Sequence, residues 1–327
     1  MRKKVWLYFV FSVLLLASCE REIPYTGEMT DPRLVLQARL AENDTEIQCT
    51  ASRSAFFLDN SLPQDRLLSG FTFSVRRGDD EEQTFAASDL KSEDNIYFIP
   101  QSEPLHAGEV VRISVSHPDF PTATACDTVV ASPQMQVASC TQDKKAGVYR
   151  VRLRFGANEG FAGMIGLQAA LEYTVQQTWG EDDTYTYDRT ETHFATNDPV
   201  FAGLGNPYST EEGFNSDAEL FCRMSDIRNR EVEILIPANE DSNSPSTTII
   251  PERLVVYARA HSTCSYLYWK SAYAYFGIYG NEDIDLASLM SSVFGVEEGV
   301  QLYNNVENGY GIVCATSYSI SELIFEE

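Results

Sequence analysis

The sequence predicts a mainly β protein, with an N-terminal immunoglobulin-like β-sandwich followed by a β-rich C-terminal domain that carries one or two short helices. Three observations support this class. Short segments that alternate apolar and polar residues follow one another from residue 33 to about residue 130, separated by turn-forming residues. Segments of the same kind return between residues 147 and 261. A stretch that starts at residue 262 contains no Gly or Pro before Gly277, which favours a helix.

Residues 1–18 predict a secretory signal peptide. Residues 2–4 are basic, and the run from residue 5 to residue 17 is apolar apart from Ser12. A membrane-spanning helix needs about 20 apolar residues, and this run is shorter. The run ends in LASC, which resembles a bacterial lipobox and predicts that Cys19 carries diacylglycerol and acyl chains such as palmitate. The simpler alternative is an ordinary signal peptide with a chance cysteine near its end.

Residues 19–32 are predicted to form a lipid-anchored tether. The charged residues 20–22 resemble the export signal that takes lipoproteins of the Bacteroidota to the outside of the outer membrane. Pro24, Gly27 and Pro32 disfavour regular structure in the rest of the segment. We therefore expect an outer-membrane protein that is held by its lipid and faces the cell exterior.

Residues 33–132 are predicted to form the immunoglobulin-like sandwich. The predicted strands cover residues 33–40, 45–52, 70–77, 83–88, 95–100, 109–116 and 122–130. In the sixth of these, Val111, Ile113 and Val115 fall on one face, because side chains alternate along a strand. Seven short alternating strands in a segment of this length favour an antiparallel sandwich. Pro133 marks the joint to the next domain.

Residues 136–327 are predicted to form the β-rich C-terminal domain. Its expected elements are strands at 147–155, 163–179, 230–238 and 253–261, a helix at about 262–277, a second short helix at 283–295 and two final strands around the turn at 304–311. The segment 178–220 is polar and irregular, which predicts a long loop, and long loops in compact domains are often functional.

Six cysteines remain besides Cys19, and an exported protein can keep disulfides. They are Cys49, Cys126, Cys140, Cys222, Cys264 and Cys314. Six cysteines allow 15 pairings, so the pairing stays open, and one or two bridges with some buried thiols are expected. No zinc-type spacing occurs, so no metal site is predicted. The acidic stretches 78–82, 180–188 and 239–244 lack the spacing of a calcium-binding EF-hand, and solvated loop tips are favoured over calcium sites.

Catalytic signatures are absent from the sequence. We therefore predict no enzyme activity, no catalytic residue and no cofactor apart from the covalent lipid on Cys19. The four histidines, at positions 106, 117, 193 and 261, fall in separate segments and are expected to lie scattered at the surface. The net charge of −24 disfavours nucleic acid as a partner. The tripeptide Arg77-Gly78-Asp79 matches an integrin-binding motif, but its chemistry also suits a hairpin turn, which we favour.

Aromatic residues suggest two places for ligand contact. The segment 266–279 is dense in Tyr, Trp and Phe, and a helix that is apolar all round is more often buried than ligand-binding. Core packing is therefore favoured there. If a binding surface exists, we expect the 178–220 loop to contribute to it. The candidate ligand-binding residues are Trp179, Tyr185, Tyr187 and Tyr208.

The ending YNNVENGYGIVCATSY, residues 303–318, resembles the ending SN-(I/V)-x-G-G-x-G-I-F-G of a Bacteroidota outer-membrane lipoprotein family known as domain of unknown function 4249. The matching positions are Asn305, Val306, Gly309, Gly311 and Ile312. The lipobox, the segment AGEVVRISVSHPDFPTATA and the aromatic segment SYLYWKSAYAYF agree with this resemblance. The sequence departs from it at Asn308, where the family often has Gly, and at residues 313–317.

The resemblance implies the same two-domain β architecture, an outer-membrane lipoprotein and an association with TonB-dependent transporters. It transfers no catalytic residue. In physical terms, Gly309 and Gly311 suit a positive φ or a close approach of two backbone segments. The predicted function is that of a surface-exposed accessory lipoprotein that helps a TonB-dependent transporter capture a peptide or glycan. The alternative is a structural or adhesive surface protein that binds host or neighbouring-cell proteins.

Overall fold

The computed structural model describes residues 31–55, 68–157, 163–179, 183–192, 194–201, 219–238, 247–279 and 302–325. Most of these residues lie in β-strands, which confirms the mainly β class. The strands are β1 (Leu34–Leu40), β2 (Glu46–Arg53), β3 (Thr72–Arg77), β4 (Gln83–Ala86), β5 (Lys91–Glu93), β6 (Ile96–Pro100), β7 (Val110–His117), β8 (Phe120–Thr128), β9 (Met135–Asp143), β10 (Val148–Phe155), β11 (Met164–Trp179), β12 (Asp183–Glu191), β13 (Leu220–Arg223), β14 (Glu231–Pro237), β15 (Thr247–His261) and β16 (Tyr310–Ile324). The helices in the described ranges are α1 (Met224–Ile227) and α2 (Thr263–Tyr279).

The described strands form three sheets. The main sheet has the order β12-β11-β15-β16-β1-β2-β6-β5, with β13 also paired to β11. A four-stranded sheet has the order β4-β3-β7-β8, and a three-stranded sheet has the order β14-β10-β9. The main sheet therefore contains strands from both sides of the predicted joint at Pro133. The division into domains 33–132 and 136–327 stays a prediction.

Strand β16 links the two parts of the main sheet. Its first half, residues 310–315, pairs in parallel with β1, and residues 316–324 pair antiparallel with β15. Gly311 has a φ of +119°, and a Cβ there would overlap the carbonyl oxygen of Leu36. A Cβ on Gly309 would lie 2.6 Å from the carbonyl oxygen of Leu34. Both observations confirm the close backbone approach expected at these glycines, since any larger residue would push β16 away from β1.

The N-terminal strands build a two-sheet sandwich. The predicted inward face of β7 is confirmed, because Val111, Ile113 and Val115 are fully buried. The rings of Phe73 on β3 and Tyr97 on β6 meet across the two sheets with centroids 5.2 Å apart. Burial of such side chains contributes on the order of 1.5–3 kcal/mol each, so this layer is a main source of stability.

The segment 178–220, predicted as a loop, contains regular structure in its described part. Residues 183–191 form β12, which runs antiparallel to β11 from the pair Trp179–Asp183 onwards. The prediction was wrong there because the alternating Thr and Tyr residues of this polar strand favour β structure while its charged residues resemble a loop. Helix α2 confirms the helix predicted at about 262–277. The second predicted helix, at 283–295, lies outside the described residues.

The six cysteines after Cys19 and the N-terminal segment were also the subject of sequence predictions. All six cysteines after Cys19 are free thiols in the structure, in contrast to the one or two disulfides expected from the sequence. The signal peptide, Cys19 and most of the tether lie outside the described residues. Among the helices that the structure describes, none is long and apolar enough to cross a membrane.

Candidate functional site

A cavity of about 720 Å³ lies on the outer face of the main sheet. Alternation along the strands creates this face: Gln37 and Arg39 of β1 point outward, whereas Leu36, Ala38 and Leu40 are buried. The cavity is lined by Gln37, Ala38, Arg39, Gln48, Thr50, Ile96, Gly166, Gln168, Glu219, Tyr257, Arg259, Tyr268, Trp269, Ile312, Cys314, Thr316, Tyr318 and Ile320.

Strand register orders the floor of the cavity into rows. One row across β11, β15 and β16 consists of Gln168, Tyr257 and Ile320. The next row consists of Gly166, Arg259 and Tyr318. Tyr257 and Tyr318 keep 37% and 56% of their surface exposed, so their rings are available to a ligand.

The far side of the floor comes from β1 and β2. Arg39 pairs with Gln48, and Gln37 pairs with Thr50. Burial raises the pKa of the neighbouring Cys314 thiol on β16 to about 12, so this sulfur stays neutral and unreactive at ordinary pH. The described floor is therefore aromatic and aliphatic in its centre and rich in amide and guanidinium groups around it.

Helix α2 walls one side of the cavity. Tyr268 and Trp269 line it and are only partly buried, so core packing alone does not describe this helix. Tyr266 does pack inward, with its ring edge against Phe221 at a centroid distance of 5.3 Å. All three rings are partly buried, so the prediction of core packing is confirmed only in part: Tyr266 packs against the buried Phe221, whereas Tyr268 and Trp269 line the cavity. Sequence periodicity missed this division because all faces of the helix carry large apolar residues.

A buried polar cluster lies at the end of the cavity where β11, β13 and β15 meet. Arg259 Nη1 lies 2.5 Å from Glu219 Oε1, and His261 Nε2 lies 2.8 Å from Glu219 Oε2. His261 Nδ1 lies 2.8 Å from Ser265 Oγ. Because a carboxylate only accepts hydrogen bonds, His261 Nε2–H donates a hydrogen bond to Glu219. On the other side of the ring, Nδ1 is hydrogen-bonded to the Ser265 hydroxyl.

His261 corrects the expectation of scattered surface histidines, because it is fully buried. His106 is exposed, His117 is partly buried, and His193 lies outside the described residues. Serine, histidine and glutamate are also the residue types of a hydrolase triad. Ser265 is fully buried, however, and a nucleophile must reach its substrate. We interpret the cluster as a support that fixes Glu219 and, through it, Arg259.

Gly166 makes room for this cluster. A Cβ at this position would overlap Glu219 Oε2, and it would lie 2.9 Å from Glu219 Cδ and 3.0 Å from His261 Nε2. A glycine inside a strand often marks such a close approach, so the segment MIGLQ held a signal for the cluster. The sequence could not show which side chain approaches, because Glu219 and His261 are distant from Gly166 along the chain.

A partly buried carboxylate, Asp127, connects the start of α2 to the sheets. Asp127 Oδ2 accepts hydrogen bonds from the Ser262 hydroxyl and from Ala315 N–H, the latter at 2.8 Å. Asp127 Oδ1 accepts from Thr128 N–H at 2.8 Å. Burial raises the pKa of Asp127, and these hydrogen bonds counteract part of that rise. Asp127 therefore fixes the position of α2 relative to β8 and β16.

The residues predicted to bind ligand lie away from this cavity or outside the described residues. Tyr185 and Tyr187 share one face of β12, with ring centroids 5.6 Å apart. They pair with Gln177 and Val175 of β11, which belong to the face opposite to that of Gln168. The backbone of Trp179 pairs with that of Asp183. The side chain of Trp179 and the whole of Tyr208 lie outside the described residues. Ligand binding by these residues stays a prediction.

The tripeptide at residues 77–79 has a structural role. Arg77 Nη2 donates to Glu109 Oε2 at 2.8 Å, and Arg77 Nη1 donates to the carbonyl oxygen of Glu103 at 2.7 Å. The hydrogen bond from Arg77 lowers the pKa of Glu109. Gly78 has a φ of +49° in the connection between β3 and β4, as the hairpin interpretation requires. Within the described ranges, no group of three or more His, Cys, Asp or Glu side chains is placed to hold a metal ion.

Comparisons with known proteins identify a family but no curated relative. The model of the family described as "Domain of unknown function (DUF4249)" matches residues 20–321. No curated protein matches the chain. One similar solved structure is that of three N-terminal domains of the highly immunogenic outer capsid protein (Hoc) of bacteriophage RB49, at 12% identity and a TM-score of 0.21. That match covers 72% of this chain and 64% of that one, and at this TM-score we draw nothing from it.

Proposed function

The chain belongs to the family of domain of unknown function DUF4249, and we propose that it is a surface lipoprotein that binds a small soluble ligand in the cavity of its main sheet. The observation that carries this proposal is the lining of the cavity. The exposed rings of Tyr257 and Tyr318 and the partly buried ring of Trp269 lie beside polar groups that can orient a ligand. A volume of about 720 Å³ falls in the range of about 300–1,000 Å³ that is typical of small-molecule sites.

We further propose that the protein presents this ligand to a TonB-dependent transporter at the outer membrane. The lipobox that ends at Cys19 and the charged residues after it support an exported, lipid-anchored protein. The family resemblance supports the transporter as a partner. Lipid anchoring would hold the cavity near the membrane, where a captured nutrient could pass to the transporter.

A thermal-shift screen followed by calorimetric titration tests ligand binding. Soluble protein lacking residues 1–19 is screened against oligosaccharides and short peptides, and the strongest stabiliser is titrated into variants. Tyr318→Ala should weaken binding about fivefold or more, because an aromatic contact in a binding site is worth roughly 1 kcal/mol or more. Tyr185→Ala is the matched control, since its side chain has a similar exposure of 62%. Loss of binding in the Tyr185 variant alone would move the site to the β11–β12 hairpin.

An affinity capture tests the proposed partner. Tagged full-length protein is purified from gently solubilised outer membranes, with Cys19→Ala as the control. The account predicts a stoichiometric TonB-dependent transporter with the native protein and none with the variant. Recovery of the native protein without a transporter would contradict the uptake role and leave a freestanding surface binder.

A further inference from the structure

The charges that face the cavity differ from those of the chain as a whole. The charged residues among its lining are Arg39, Arg259 and Glu219. Two cations and one anion leave the cavity with a positive balance in a protein whose net charge is −24. The composition of the chain predicts a negatively charged surface, and the cavity differs from it. The charge of the cavity is therefore informative about the ligand that it binds.

The single lining carboxylate is already paired with two side chains of the protein, although its Oε1 meets Arg259 as an ion pair and not in hydrogen-bond geometry. Glu219 has 1% of its side-chain surface exposed and contacts both Arg259 and His261. Arg259 keeps 34% of its side chain exposed, and a guanidinium has five N–H donors, more than one carboxylate oxygen can use. Arg259 can therefore donate into the cavity while Glu219 holds it in place.

Arg39 is the second available cation. Its side chain is 45% exposed, and its ion pair with Asp44 is long, at 3.8 Å. Arg39 pairs with Cys314 on one side of β16, and Arg259 pairs with Tyr318 on the other side. The Cα atoms of Arg39 and Arg259 are therefore about 16 Å apart, because four residues along β16 and two strand spacings lie between them. The two guanidinium groups can thus contact separate groups of one extended ligand.

The remaining lining favours a saccharide over a peptide. Exposed tyrosine rings offer flat apolar surfaces to sugar rings, and the amides of Gln37, Gln48 and Gln168 can both donate to and accept from hydroxyl groups. A peptide is commonly bound by adding a strand to a free sheet edge. The floor of this cavity is instead the face of β15, β16 and β1, each of which has a neighbour on both sides.

We propose that the cavity selects an anionic oligosaccharide whose carboxylate or sulfate groups contact Arg39 and Arg259. This inference rests on the proposed function, because it names the ligand class of the same cavity. A carboxylate is planar and a sulfate is tetrahedral, but each presents a pair of oxygens that a guanidinium can bind with two parallel hydrogen bonds.

Calorimetric titration with defined probes tests the inference. The probes are oligogalacturonate as the carboxylated ligand, chondroitin sulfate oligosaccharides as the sulfated ligand, neutral malto-oligosaccharides of matched length, and short acidic peptides. Physiological ionic strength is used because its Debye length of about 8 Å screens the distant acidic surface but not the contacting arginines. We expect at least one acidic oligosaccharide to bind about tenfold or more tightly than the neutral ones, as charge-assisted hydrogen bonds require.

Variants assign that preference to the cavity. Arg39→Gln should reduce the affinity for the acidic oligosaccharide about fivefold or more, and it should reduce the affinity for the neutral probes by clearly less. Arg152→Gln is the matched control, because Arg152 also lies within a strand, is 62% exposed and has one long ion pair, at 3.9 Å to Glu233. Both positions are exposed, so neither change should prevent folding.

The outcomes separate the inference from the proposed function. Equal or tighter binding of neutral oligosaccharides, or acidic binding that Arg39→Gln leaves intact, would overturn the anionic preference while the cavity remains a binding site. Binding of the acidic peptides alone would overturn the saccharide class. If neither these probes nor the wider screen gives any binding, the proposed function fails as well. A preference between the carboxylated and sulfated probes identifies which anion the site takes.

Discussion

Arg259 belongs both to a buried ion pair and to the wall of the cavity, so a change in its partner should affect stability and binding together. Replacing Glu219 with Gln removes the charge that holds Arg259 and weakens its bond to His261. Since Arg259 is partly exposed and can regain water, we expect the free energy of unfolding to fall by about 1–3 kcal/mol, less than is typical when a fully buried pair is broken. Urea unfolding of the native protein and the variant measures this difference.

Glu231→Gln is the control for this change. Glu231 and Arg154 also lie 2.5 Å apart, but their side chains are 39% and 57% exposed. An exposed pair contributes about 0–1 kcal/mol, so the control should cost clearly less. Equal losses in the two variants would show that burial of Glu219 adds nothing, and the supporting role of the cluster would be wrong.

Asp127 predicts a pH dependence of stability. Burial raises its pKa above the ordinary value of 3.8, so the folded state binds this proton more tightly than the unfolded state. Its contribution is therefore fully present below the unfolded pKa and declines as pH rises through the folded pKa. The stability advantage of the native protein over Asp127→Asn should shrink from acidic towards neutral pH. Urea unfolding of both proteins across this window tests it, and an advantage that grows with pH would contradict a raised pKa.

At the scale of secondary-structure elements, the start of α2 depends on one side chain. Ser262 Oγ accepts a hydrogen bond from Ser265 N–H at 3.1 Å and donates one to Asp127. Ser262→Ala removes this cap, and we expect a loss of about 1–2 kcal/mol. The neighbouring exposed Thr263→Ala should change the free energy of unfolding by less than about 0.5 kcal/mol. Thermal or urea unfolding compares them, and a harmless Ser262→Ala would contradict the capping role.

Elements with a clear periodicity were predicted from sequence, and elements without one were not. The alternation of β7 identified a strand and its buried face, whereas the segment without Gly or Pro identified α2 as a helix but not which of its faces is buried. Strand β12 was missed because alternating Thr and Tyr residues were interspersed with charges, and pairing with β11 decided its structure. The interpretation of α2 as core was only partly correct, because side chains on its different faces meet the sheet, the cavity or solvent.

The candidate site could not be predicted from sequence because it exists only through long-range pairing. Arg39, Gln168, Arg259 and Tyr318 become neighbours when β16 joins β1 to β15 and β15 joins β11. The family resemblance included Gly309 and Gly311, which permit the close contact between β16 and β1. It therefore indicated this contact but not the cavity beside it. At the scale of the whole molecule, the shared strand both completes the sheet and forms the site.

The two tryptophans that follow the predicted signal peptide allow a direct test of the central claim, that the ligand occupies the cavity. Trp269 lines the cavity, and Trp179 lies at the end of β11, where sequence reasoning placed the binding surface. The ligand found by screening is titrated into Trp179→Phe and Trp269→Phe while tryptophan fluorescence is followed. The account predicts a saturable change in Trp179→Phe, which retains Trp269, and none in Trp269→Phe, even where calorimetry still detects binding. A saturable change only in Trp269→Phe would place the ligand at the hairpin and contradict the account.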